Sequence, residues 1–125
     1  MKISSKALRL YAVTDRSWLK ENQTLTDAVE KAILGGVTIV QLREKNTDFE
    51  QQLSLAQELK TVCKKYNVPL IINDSVELAL KSGADGVHLG QSDGDIKKAR
   101  EILGNNAIIG ATAHNVNEAV SAFKS

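Results

Sequence analysis

Several residue types are scarce in this sequence, and each scarcity excludes a class of protein. Cys63 is the only cysteine among 125 residues, so no disulfide can form within the chain, and a reducing compartment is favoured. Pro69 is the only proline, and no Pro- or Gly-rich stretch divides the chain. We therefore expect one modest domain that is held together by an apolar core.

The charge balance and the short apolar runs exclude two kinds of partner. Lys and Arg total 16 and Asp and Glu total 15, so the formal net charge is only +1, and nothing suggests a polybasic nucleic-acid binder. No apolar run approaches the roughly 20 residues of a membrane span. Residues 1–6 also lack the hydrophobic core of a secretory signal. We expect a cytoplasmic protein with neither nucleic acid nor membrane as a partner.

Apolar, β-branched segments alternate with segments of helical spacing along the whole chain. The predicted strands cover residues 8–14, 36–45, 68–72, 86–89 and 107–110. The predicted helices cover residues 25–34, 49–66, 75–82 and 96–103, and a fifth begins at a capping box over residues 115–118. Five such units predict an α/β fold with a parallel sheet and right-handed crossovers. The sheet is either an open doubly wound one or part of a (β/α)8 barrel, which needs about 200 residues or more.

Polar residues follow four neighbouring strands at their carboxyl ends. Both architectures bind their ligands at those ends, so these side chains should meet at one rim. They are Gln41, Arg43 and Lys45 after the second strand, Asn73 and Asp74 after the third, Asp93 after the fourth, and Thr112 and His114 after the fifth.

The second strand carries a row of polar side chains at its end. Because strand side chains alternate between faces, Gln41, Arg43 and Lys45 share one face, and Leu42 and Glu44 take the other. An amide, a guanidinium and an ammonium in a row suit a phosphate or a pyrophosphate. The alternative is a strand that simply ends in a charged loop.

Five segments in order along the chain resemble the thiamine phosphate synthase family. The resemblance implies a (β/α)8 barrel, of which residues 1–125 form a single partial domain, the first five βα units. The segments are Leu-Tyr-Ala-Val-Thr-Asp at 10–15, Gln-Leu-Arg-Glu-Lys at 41–45, Pro-Leu-Ile-Ile-Asn-Asp at 69–74, Gly-Ala-Asp-Gly-Val-His-Leu-Gly-Gln-Ser-Asp at 83–93 and Ile-Gly-Ala-Thr-Ala-His-Asn at 109–115.

The resemblance also implies a reaction and a cofactor. The family joins 4-amino-2-methyl-5-hydroxymethylpyrimidine diphosphate to a thiazole phosphate, which yields thiamine phosphate and releases pyrophosphate, with Mg2+ as the cofactor. The partners would be these small molecules. In family members the later βα units carry further substrate-binding residues, and these have no counterpart in residues 1–125. The chain by itself is therefore expected to be inactive.

Site residues carried over from the family fall into three groups. Arg43 and Lys45 would be catalytic and hold the pyrophosphate. Asp74 and Asp93 would bind Mg2+. The remaining substrate-binding residues would be Gln41, Asn73, His88 and Thr112, the last of which is usually Ser in the family.

Each of these residues also has a purely structural interpretation. Asp74 and Asp93 could each cap a helix, Asn73 could be a turn residue, and His88 could be a hydrogen-bonded core histidine. His114 is expected to be exposed before the fifth helix. Tyr11 could either pack in the barrel or edge the pocket.

Two other functions stay open at the sequence level. One is a thiazole tautomerase-like protein that uses a histidine near position 114, although Asp74 and Asp93 argue against it. The other is a non-catalytic phosphate-binding fragment. A five-stranded part of a barrel also has two open edges, at the first and fifth strands, through which we expect self-association.

Overall fold

The structure is a computed structural model that describes residues 5–45, 47–90 and 95–124, with side chains for all of these except residues 18, 123 and 124. Five parallel strands alternate with five helices, as predicted. The strands are β1 (Tyr11–Val13), β2 (Ile39–Leu42), β3 (Leu70–Asn73), β4 (Gly86–Leu89) and β5 (Ile108–Ala111), and the helices are α1 (Leu25–Leu34), α2 (Phe49–Lys65), α3 (Val76–Ser82), α4 (Ile96–Leu103) and α5 (Val116–Lys124). Two single 3-10 turns, Ser5–Leu8 and Arg16–Trp18, flank β1.

The order of the strands in the sheet decides between the two predicted architectures. The strands lie in the order β1-β2-β3-β4-β5, each parallel to its neighbour. A doubly wound sheet reverses its strand order at a switch point, and this sheet does not. Sequential order with right-handed crossovers puts every helix on the same side of the sheet, as in the wall of a barrel.

The core lies between the sheet and this single layer of helices. Alternate strand residues point toward the helices, where they are almost completely buried. The sheet contributes Val40, Leu42, Leu70, Ile72, Val87 and Leu89, and the helices contribute Leu25, Val29, Ile33, Ala56, Leu59, Cys63, Leu78, Ala79 and Ala99. Cys63 is therefore a core residue, as its position on the apolar face of its helix predicted.

The first two strands are several residues shorter than the sequence predicted, and the hydrogen bonds of their flanking residues explain why. The turn after α1 uses Gly36, at a φ of 119° that favours glycine, and the Val37 N–H donates to the Ala32 carbonyl. At the other end of β2 the Arg43 N–H donates to Thr14 Oγ1 at 3.0 Å. Residues 36–38 and 43–45 thus flank β2 without belonging to it, and β1 is similarly limited by the 3-10 turn before it.

The helix caps test the alternative interpretation of the two aspartates. Ser75 caps α3 by accepting from the Leu78 N–H, and Asp95 caps α4 by accepting from the Lys97 N–H. Asp74 is therefore not the cap of α3, and Asp93 lies outside the described residues. At α5 the predicted capping box is present, with Asn115 Oδ1 accepting from the Glu118 N–H at 2.8 Å.

No helix within the described ranges is both long enough and apolar enough to cross a membrane.

Candidate functional site

The carboxyl ends of the strands open into one pocket of about 800 Å³. Every predicted site residue that the structure describes lines it, whereas Asp93 lies outside the described residues. The lining consists of Tyr11, Val13, Gln41, Arg43, Lys45, Asn73, Asp74, His88, Gly90, Thr112 and His114.

A chain of side-chain hydrogen bonds crosses the wall of this pocket from β1 to β3. Gln41, on β2, is only 5% exposed, and a buried amide is costly unless its polar atoms find partners. Its Nε2 donates to Tyr11 Oη at 2.9 Å. Its Oε1 accepts from Asn73 Nδ2 at 2.8 Å. Both ends of the Gln41 amide are therefore held by residues on the neighbouring strands.

A second polar pair joins β4 and β5. His88 Nε2 lies 2.9 Å from Thr112 Oγ1, and the ring covers the strand position occupied by Gly110. A Cβ atom at that position would lie 2.5 Å from His88 Nδ1, so only glycine leaves room for the ring. His88 is half-buried and faces the pocket, not the apolar core between sheet and helices.

The cationic side chains lie on the rim just after β2. Arg43 and Lys45 are exposed, whereas the Glu44 side chain between them is only 4% exposed. Glu44 forms an ion pair with Arg16 at 2.6 Å and accepts a hydrogen bond from Thr47 Oγ1 at 3.1 Å. Gln41, Arg43 and Lys45 line the large pocket and Glu44 does not, as the two-face prediction expects. A smaller neighbouring pocket, however, is lined by Arg43, Glu44 and Lys45 together.

Asp74 holds an uncommon backbone conformation at the end of β3. Its φ is 70°, in the left-handed region that Asn and Asp enter more readily than other side-chain-bearing residues. The Asp74 N–H donates to the His88 carbonyl at 2.8 Å, which ties the end of β3 to β4. Such conformations recur at functional sites, where the surrounding fold maintains them.

Comparison with known proteins identifies the family. A family model described as thiamine monophosphate synthase matches residues 10–125. The chain belongs to this family. The thiamine-phosphate synthase of Clostridium novyi is 52% identical over 116 residues, which are 93% of this chain and 56% of that protein. A probable thiamine biosynthetic bifunctional enzyme of Schizosaccharomyces pombe is 49% identical over 109 residues, 87% of this chain and 21% of that protein.

A solved structure agrees with this assignment. The thiamine phosphate pyrophosphorylase of Pyrococcus furiosus superposes with a TM-score of 0.85 at 35% identity, covering 95% of this chain and 56% of that chain. The five βα units thus belong to the α/β barrel fold of the family. The chain spans about half the length of the curated bacterial relatives it matches, with 56% of the Clostridium novyi protein and 54% of its Clostridium acetobutylicum counterpart.

Sequence reasoning left the role of one pocket residue, Tyr11, undecided and missed the role of Gly110, which lies against the ring of the pocket residue His88. Tyr11 lies in the pocket wall, and burial raises the pKa of its phenol above the usual value although the Gln41 hydrogen bond lowers it slightly. Gly110 was passed over as part of an apolar strand. A glycine inside a strand is itself a signal of close approach, and here the approaching group is His88.

Proposed function

We propose that this chain supplies the diphosphate-binding part of a thiamine phosphate synthase. The reaction would condense 4-amino-2-methyl-5-hydroxymethylpyrimidine diphosphate with 4-methyl-5-(2-phosphoethyl)thiazole, giving thiamine phosphate and pyrophosphate. One observation carries the proposal: polar side chains from all five strands and from the segments that follow them line a single pocket of about 800 Å³. The identity to proteins named thiamine-phosphate synthase supports it.

The cationic rim suits the leaving group of this reaction. When the carbon–oxygen bond to pyrophosphate breaks, its electron pair leaves with the pyrophosphate, where negative charge accumulates. Arg43 and Lys45 lie where they can stabilise that charge, and fixed cations at the site of developing charge lower the barrier. The Glu44 carboxylate between them forms its ion pair with Arg16.

The second step, in which the thiazole nitrogen attacks, needs orientation of the reactants more than proton transfer. The thiazole nitrogen attacks the pyrimidine-stabilised cation with its own lone pair, so no general base is required to activate it. The polar wall formed by Gln41, Asn73, His88 and Thr112 would then hold the pyrimidine and the diphosphate. Within this wall Asn73 donates to Gln41 at 2.8 Å, and His88 Nε2 lies 2.9 Å from Thr112 Oγ1. Such preorganisation of each pair favours a reactive alignment.

We assign Mg2+ to the carboxylates of Asp74 and Asp93. Mg2+ in phosphate sites is bound by one or two carboxylates together with water and substrate oxygens. Asp74 is among the residues that line the open pocket, so it fits a site of this kind. When bound, the ion would supply charge neutralisation on the diphosphate. The single cysteine fits a cytoplasmic location for such an enzyme.

A chimera tests the proposed reaction, because the chain spans about half of its relatives. Residues 10–125 replace the matching segment of the Clostridium novyi synthase, and pyrophosphate release is followed by a coupled assay. We expect release only when the pyrimidine diphosphate, the thiazole phosphate and Mg2+ are all present. A folded chimera that tautomerises a thiazole but releases no pyrophosphate would instead indicate the tautomerase. A folded chimera without either activity would indicate a phosphate-binding role only.

A further inference from the structure

We propose that Tyr11 is a positioning residue that holds the Gln41 amide in its working orientation. The inference rests on the proposed function, in which Gln41 contacts the pyrimidine. Tyr11 belongs to the first strand and lies outside the group of residues to which the sequence assigned a role.

The sheet register explains how Tyr11 reaches Gln41. Tyr11 is paired with Ile39, and Val13 is paired with Gln41, so Tyr11 and Gln41 are diagonal neighbours on adjacent strands. Diagonal positions on one face are within reach of aromatic and long side chains. The phenol spans this diagonal and accepts from Gln41 Nε2 at 2.9 Å.

The hydroxyl group of Tyr11, more than its aromatic ring, is what holds the Gln41 amide. The residue is 38% exposed, so its ring is far from fully buried. Its oxygen, by contrast, holds one of the two hydrogen-bonded ends of a nearly buried amide. Burial raises the pKa of the phenol above its usual value.

Loss of the hydroxyl would release only one end of the Gln41 amide. Asn73 Nδ2 would still donate to Gln41 Oε1, but the amide could rotate away from the position that the phenol defines. Leaving a buried donor without its partner costs more than the hydrogen bond itself contributes. Binding of the pyrimidine should therefore weaken, while binding of the thiazole phosphate should not change.

The chain contains two tyrosines, and the second provides a matched control. Tyr66 donates from its hydroxyl to Glu30 Oε2 at 3.0 Å, on the helical side of the sheet. In the chimera, Tyr11→Phe should raise KM for the pyrimidine diphosphate about 3- to 10-fold, the range expected for one hydrogen bond. Tyr66→Phe should leave both KM values unchanged. Equal KM values for parent and Tyr11→Phe would overturn the proposal.

A double-mutant cycle separates positioning from direct contact. If Tyr11 acts through Gln41, Tyr11→Phe should change KM no further in a Gln41→Met background. If the KM increases of the two single variants instead multiply in the double variant, Tyr11 contacts the substrate itself, and the positioning role is wrong.

A readout that does not depend on turnover separates this inference from the proposed function. The side-chain amide resonances of Gln41, observed by NMR in the chimera, should shift and exchange faster in Tyr11→Phe but not in Tyr66→Phe. Unchanged resonances in Tyr11→Phe would contradict the inference even in an active enzyme. The chimera could also be inactive while its Gln41 resonances still respond to Tyr11→Phe. That result would support the Tyr11–Gln41 contact, but it would overturn both the synthase function and any role of Tyr11 in binding the substrate.

Discussion

Arg43 and Glu44 are neighbours in sequence but have opposite surroundings. The Arg43 side chain is exposed on the rim of the pocket, whereas Glu44 is almost buried and paired with Arg16. The alternation of side chains predicted this difference from the sequence, although β2 ends at Leu42. The partner of Glu44 could not be predicted, because Arg16 lies in the 3-10 turn after β1, 28 residues earlier.

Substitutions at these two positions should affect affinity for the diphosphate unequally. Arg43→Lys keeps the charge but loses the bidentate geometry of the guanidinium, so we expect KM for the pyrimidine diphosphate in the chimera to rise about tenfold. Glu44→Gln should change this KM less, although it weakens the ion pair with Arg16 and lowers stability. A larger KM effect from Glu44→Gln would mean that our assignment of the two faces is wrong.

Asp74 allows the Mg2+ assignment to be tested without disturbing the backbone. Asparagine tolerates the left-handed conformation as well as aspartate does, so Asp74→Asn removes a charge and keeps the shape. We expect the Mg2+ concentration for half-maximal activity to rise at least about tenfold, and Asp93→Asn should behave in the same way. Asp95→Asn, at the cap of α4, is the matched control and should leave the Mg2+ requirement unchanged. Near-normal activity of Asp74→Asn and Asp93→Asn at limiting Mg2+ would contradict the assignment.

At the scale of elements, the sequence predicted the order of strands and helices well, but it predicted the residues at which they begin and end less accurately. Helix starts were marked by capping residues such as Thr24 and Asn115, whose side chains accept from the first turn. The first strand was predicted too long because residues 5–8 form a 3-10 turn, which apolar periodicity does not reveal. The contacts between strands, such as Tyr11 with Gln41, depend on register, and no local signal in the sequence specifies it.

The packing of β5 against β4 depends on Gly110. A methyl group there would lie 2.5 Å from His88 Nδ1, so Gly110→Ala should push the ring off Thr112 and cost roughly 1–3 kcal/mol of stability. Gly35→Ala is the control, because its Cβ would meet only ordinary contacts at 3.5 Å. Denaturant unfolding of the two variants in the chimera measures both effects. Equal stability of the two variants would show that His88 adapts easily.

The last turn of α2, which contains Cys63, should resist thiol chemistry. Cys63 is 0% exposed, and burial raises the pKa of its thiol to about 11, so thiolate is scarce below pH 9. A thiol reagent at pH 8 should therefore label the folded chimera at this position only as fast as it unfolds, and denaturant should accelerate labelling by orders of magnitude. Rapid labelling under native conditions would mean that the apolar face of α2, which carries Cys63, is accessible to solvent in the folded protein.

At the scale of the whole molecule, the described sheet has two edge strands. β1 pairs with β2, β5 pairs with β4, and the sheet contains no further strand in the part of the chain that the structure describes. Apolar side chains near β1 are exposed, with Leu10 at 50% and Val13 at 42%. Edge strands of this kind promote association with other chains.

We predict that the 125-residue chain by itself associates through these edges and makes no thiamine phosphate. Sedimentation should show species larger than a monomer. Leu10→Lys, which places a charge at the β1 edge, should reduce association. Leu34→Lys, at the equally apolar but helical position that is 67% exposed, should not. A well-folded monomer with synthase activity from these residues alone would refute this prediction.

The most direct test of the central claim is the affinity of the chimera for the pyrimidine diphosphate in the presence of Mg2+ and without the thiazole phosphate, measured by calorimetry. If the strand ends of this chain build the diphosphate site, the chimera should bind one equivalent with a Kd within about tenfold of the Clostridium novyi synthase. A chimera that unfolds as cooperatively as the parent synthase but does not bind the pyrimidine diphosphate would contradict the claim.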